Sequence, residues 1–73
     1  MSGTERSNRV REHRRRLALT QAQLGAQVGV SRQSIVSIEG GNYSPSVYLA
    51  LRIAAALGTA VEELFPLHEE ARS

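Results

Sequence analysis

Two short apolar stripes at helical spacing, separated by one glycine and each introduced by a capping residue, constrain this chain more than any other feature. Thr20-Gln-Ala-Gln23 has the form of a capping box, in which a threonine hydroxyl accepts from the backbone three residues on and the glutamine reaches back. Leu24 and Val28 follow as a stripe at i and i+4, and Gly29 stands where left-handed backbone ends a helix. Ser31 is placed to cap the next helix, whose core positions are Ile35 and Ile38. This punctuation describes two helices joined by a sharp turn, with Gly25 small where they approach closely.

The same grammar extends in both directions. A first helix is expected over Asn8–Leu17, with Val10, Arg14 and Leu17 on one face. An arginine on an otherwise apolar stripe needs a partner. After Gly40-Gly41 and a loop rich in turn residues, a fourth helix is expected from about Ser46 to Leu57. Val47, Ala50, Ile53, Ala54 and Leu57 form its inner face, and Gly58 ends it. Thr59-Ala-Val-Glu62 reads as a second capping box, opening a short fifth helix with Val61, Leu64 and Phe65 inward and Pro66 as its stop. No period-two alternation marks a strand. The expectation is an all-α chain, a compact bundle of five short helices around one core. Its domain spans residues 8–67, with a disordered N-terminal arm over 1–7 and a C-terminal tail over 68–73. A chain of 73 residues holds one such domain.

Composition removes several functions. Without cysteine there is neither a disulfide nor a thiolate metal site, and His13 and His68 lie far apart, so no metal or cofactor is expected. No apolar run approaches the ~18 residues of a membrane span, which makes the cytoplasm the default location. No paired carboxylates, phosphate-cradling glycine loop or nucleophile–histidine arrangement suggests catalysis, so the chain is not read as an enzyme. Gly40-Gly41 follows a helix and reads as its C-cap. Charge is uneven: residues 1–32 hold seven Arg against two Glu, a net of +5, whereas residues 33–73 hold two Arg against five Glu, a net of −3. All nine cations are Arg, whose planar fork matches phosphate and guanine edges.

The segment Gln21–Gly40 resembles the helix-turn-helix of the Cro/C1-type (xenobiotic-response-element) regulators. Asn8-Arg-Val-Arg11, Leu19-Thr-Gln21, Gly29-Val-Ser-Arg-Gln-Ser34, Ile38-Glu39, Tyr43-Ser-Pro-Ser46 and Glu62-Glu-Leu-Phe65 are similar to the short, stand-alone members of that family. The resemblance covers about residues 8–65. It implies a lambda-repressor-like domain with the helix-turn-helix in helices 2 and 3. Two positions depart from the pattern: His13 stands where a large apolar residue is usual, and Gly25 where Ala is usual. The glycine would cost helix 2 roughly 0.5–1 kcal/mol.

In this motif the second helix enters the major groove of duplex DNA and its N-terminal residues meet base edges. The resemblance therefore implies base contacts from Arg32 and Gln33, then Val36 and Ser37 one turn on. Arg suits guanine O6 and N7, Gln suits adenine, and Val suits a thymine methyl. Phosphate contacts are implied for Gln21, Ser34, Asn42 and Tyr43. Relatives pair the arginine of helix 1 with the glutamate ending the reading helix, here Arg14 with Glu39. Relatives also bind as two-fold dimers. The surface expected for this homodimer is Leu64, Phe65, Pro66 and Leu67, with Tyr48 and Leu51 secondary. The function implied is a sequence-specific, double-stranded-DNA-binding transcriptional regulator, a repressor. An antitoxin with a toxin partner, a restriction-modification controller and a purely structural bundle remain alternatives. A dedicated toxin-binding tail needs more chain than follows Phe65.

Overall fold

Side-chain caps decide where three of the five helices begin. The computed structural model describes residues 8–66, so Leu67, the arm expected over 1–7 and the tail expected over 68–73 lie outside the described residues. The order is α1 (Val10–Arg16), α2 (Gln21–Val28), α3 (Arg32–Glu39), α4 (Val47–Leu57) and α5 (Val61–Leu64). No strand occurs among the described residues. Thr20 Oγ1 accepts from Gln23 N at 3.0 Å and Gln23 Oε1 accepts from Thr20 N at 2.8 Å, so the first capping box closes as read. Ser31 and Ser46 cap α3 and α4 by accepting from Ser34 N and Leu49 N at 3.2 and 3.1 Å.

The turn between α2 and α3 rests on two glycines. Gly29 has φ 82°, a conformation that costs an L residue roughly 1–2 kcal/mol. Gly29 N and Val30 N both donate to the Gly25 carbonyl, at 2.8 and 2.9 Å. A Cβ at Gly25 would stand 2.7 Å from the Val30 carbonyl oxygen. The glycine that weakens α2 is thus what lets the turn fold this tightly against it.

The core joins all five helices. Val10, Leu24, Val28, Ile35, Ile38, Ile53, Ala54, Leu57 and Leu64 form one buried cluster. Leu19, Val30, Leu49, Val61 and Phe65 pack on its edges. α2 and α3 share the largest interface, α4 lies across α2, α5 closes the end of α4, and α1 packs on α3.

Three expectations are corrected. α1 is shorter at both ends. Asn8 Oδ1 accepts from Val10 N at 3.1 Å, which sets the start, and Ala18, at φ 58°, turns the chain away after Arg16. That turn swings Leu17 out to 50% exposure, and Leu19 packs against the core instead. Val47 is also exposed, at 78%: it opens α4 ahead of the core, and Leu49 takes the inner position. The second capping box does not form. Thr59 N donates to Ala54 O at 3.0 Å, so Thr59 belongs to the C-terminal cap of α4. α5 starts after Ala60 with no side-chain cap.

Candidate nucleic-acid interface

α3 begins at Arg32 because Ser31 is extended and its hydroxyl holds Ser34 N. Arg32 and Gln33 therefore occupy the first turn, and both are exposed. Ser34 and Ser37 lie three and four residues beyond Ser31 and Gln33, on the same side of the helix. The chain after α3 folds back beside it. Gly40 N donates to Val36 O, Gly41 N to Ile38 O and Asn42 N to Ser37 O, at 3.0–3.1 Å. This brings Asn42 and Tyr43 alongside the helix. Ser31, Gln33, Ser34, Ser37, Asn42 and Tyr43 line one open groove of about 340 Å³.

Five of the eight residues assigned to DNA contact thus share one concave surface. Its lining is amide, hydroxyl and phenol, with no carboxylate. Arg32, in the first turn of α3 but outside the groove's lining, has no ion-pair partner among the described residues. Val36 is half-buried on the same helix. Ser34 is half-buried too, with its hydroxyl 3.2 Å from that of Ser31.

Gln21 sits apart from this groove, at the first position of α2. Its Nε2 donates to Glu39 Oε1 at 3.2 Å, a link that sequence reasoning missed because nothing in residue spacing aims an amide across helices. Glu39, the one acidic residue of α3, lies at the far end from Arg32 and is only 6% exposed. Arg14 forks onto it, Nε to Oε2 at 2.6 Å and Nη2 to Oε1 at 3.1 Å, and spends Nη1 on the Leu19 carbonyl at 2.7 Å. No buried side-chain nitrogen or oxygen among the described residues lacks a partner. The network ties α1, the loop after it, the head of α2 and the tail of α3 to one carboxylate. Asn8 adds a second tie, Nδ2 to Ile38 O at 2.8 Å. Asn8 had been legible only as part of a motif.

The expected dimer surface needs correction. Leu64 is fully buried inside the protomer, because α5 is the lid of the core, and it presents nothing to a partner. Phe65 and Pro66 are half-buried, and Leu67 lies outside the described residues. The large exposed apolar side chains of α4 are Val47, Tyr48 and Leu51. Among the described residues no group of three metal-ligating side chains gathers, and no helix is long and apolar enough to cross a membrane.

A helix-turn-helix family model matches residues 10–64. An uncharacterized HTH-type transcriptional regulator of Methanothermobacter thermautotrophicus is 53% identical over 62 residues, which cover 84% of this chain and 90% of that one. Among solved structures, the P22 c2 repressor in complex with a synthetic operator aligns with a TM-score of 0.77 at 33% identity, covering 80% of this chain and 88% of that chain. The restriction-modification controller C.AhdI of Aeromonas hydrophila aligns with a TM-score of 0.73, also at 33% identity, covering 78% and 83%. By the extent of the family match, the register of its five helices and the likeness to regulators rather than enzymes, the chain belongs to the Cro/C1-type helix-turn-helix family of transcriptional regulators.

Proposed function

We propose that this protein is a sequence-specific repressor of transcription that binds double-stranded DNA as a homodimer and reads the major groove with α3. One observation carries the reading: Gln33, Ser34, Ser37, Asn42 and Tyr43 gather on a single groove, and Arg32, next to Gln33 in the first turn of α3, is exposed and without an ion-pair partner among the described residues. A helix fits the major groove, and its first turn is the part that reaches the bases. Arg32 forks onto guanine O6 and N7, and Gln33 pairs with adenine. Val36 and Ser37, a turn later, meet the next bases.

Phosphates fix the register. Ser34, Asn42 and Tyr43 supply donors on one side of the groove. On the other, Gln21 acts chiefly through backbone N–H groups at the head of α2, since its side chain is engaged with Glu39. Two-fold pairing through the exposed face of α4, with Phe65 and Pro66 at its margin, sets two reading helices about one duplex turn (~34 Å) apart. The likeness to a repressor solved on its operator supports repression by occupancy of DNA. The likeness to a restriction-modification controller favours a second reading, a controller of such a system, built on the same DNA site.

Selection of bound duplexes from a random library, at stated salt, tests the proposal. A palindrome with half-sites one turn apart is the expected product. Failure to enrich any sequence overturns the reading.

A further inference from the structure

A second surface carries more charge than the reading face. An open groove of about 850 Å³ runs along α1, with Arg9, Arg11, Arg15 and Arg16 in its lining and Glu12 and Glu39 between them. Arg16 is bonded to Glu12 at 2.8 Å, and Glu39 is committed to Arg14 and Gln21. Arg9, Arg11 and Arg15 remain, exposed and without an ion-pair partner among the described residues. Arg11 and Arg15 are four residues apart on one helix, where like charges oppose folding. The fold asks only that α1 present Val10 and Arg14 to the interior. The outer arginines are a cost to the free protein, and an anion would relieve it.

The position of the groove identifies that anion. Glu39 forms part of its wall and bonds to Gln21 at the head of α2, where the duplex backbone is placed by the proposed reading. Through Glu39 the arginine groove is tied to the head of α2, on the side away from the first turn of α3. We infer that it holds the sugar-phosphate backbone of DNA flanking the site read by α3, an inference that rests on that reading. Guanidinium forks match phosphate oxygens and take no account of base sequence. Each half-site thus extends outward past the bases that α3 reads.

The test compares the full chain with Arg11→Gln/Arg15→Gln on two duplexes: the selected site trimmed to its ends, and the same site with about ten base pairs added on each side. Affinity is measured by fluorescence anisotropy across a salt series. Wild type should show a salt slope steeper on the long duplex than on the trimmed one, by about 0.9 for each phosphate engaged and so roughly 2 per protomer. The double variant should lose that difference, keep the wild-type slope on the trimmed duplex, select the same sequence and unfold at the wild-type temperature. Equal slopes on both duplexes for wild type overturn the inference, as does an equal loss on both for the variant. If selection enriches nothing, base reading by α3 falls separately. The groove is then judged on random duplexes, where an unchanged slope for the variant overturns it.

Discussion

A guanidinium survives in the interior of so small a domain only when the N–H groups it carries inward find acceptors. Arg14, 9% exposed, meets that demand with both oxygens of Glu39 and the Leu19 carbonyl. The pair adds little net stability by being present, but removing one partner from a buried pair costs ~3–5 kcal/mol. A domain of this class has a total of roughly 5–15 kcal/mol. Glu39→Gln should therefore lower the melting temperature by more than about 10 °C, given ~4–8 °C per kcal/mol at this size. Replacing both residues with methionine should restore most of the loss, as read by calorimetry; a loss as large as the single variant's would mean the pair is not the cause. Arg14 announces itself in sequence as a charge on an apolar stripe, and the family resemblance supplies Glu39, 25 residues away. Leu19 O and Gln21 Nε2 were illegible, because a carbonyl leaves no trace in residue type and an amide's aim depends on the crossing of α2 over α3. At the reading end, Arg32→Ala should cost ~1–3 kcal/mol of binding and relax preference at one base pair. A uniform loss across all sequences would make Arg32 a phosphate clamp instead.

Helices were read best where a cap marks them. Thr20, Ser31 and Gly29 bound α2 and α3 as their chemistry requires, and α3 with the loop after it carries the groove. Periodicity alone did less well, since a period assigns a face without saying which turn of it reaches the core. Leu17 has the spacing of a core residue, but the positive φ of Ala18 rotates it outward and Leu19 goes in. Leu17→Gln should then change unfolding free energy by less than about 0.5 kcal/mol, as surface substitutions do. Leu19→Ala should cost about 1–3 kcal/mol through lost burial. Chemical denaturation of the two variants decides between the faces, and the reverse order would contradict this placement of the loop. Thr59 failed as a cap for a related reason: the end of α4 claims it before α5 begins.

The whole molecule leaves Val47, Tyr48 and Leu51 of α4 in solvent, which a lone protomer has no use for. Arg52 lies over the Tyr48 ring, 5.6 Å from its centroid, and covers only part of that surface. Leu51→Glu should leave thermal unfolding of the protomer intact, give a monomer mass by light scattering and reduce affinity for a palindrome toward that for one half-site. A persistent dimer would move the interface to Phe65 and Pro66. This surface was only partly legible, since Leu64 looked as available in sequence as its neighbours until the core enclosed it.

The side chains of Arg32 and Gln33 enter none of the hydrogen bonds that hold the fold among the described residues: their helix is positioned by Ser31 at one end and Glu39 at the other. If α3 reads DNA as proposed, a mutation at either position alters what is recognised while leaving the side-chain bonds of the scaffold in place. On that reading, duplicated copies of such a gene can drift apart in the promoters they govern at little folding cost, since surface substitutions usually stay within about 0.5 kcal/mol.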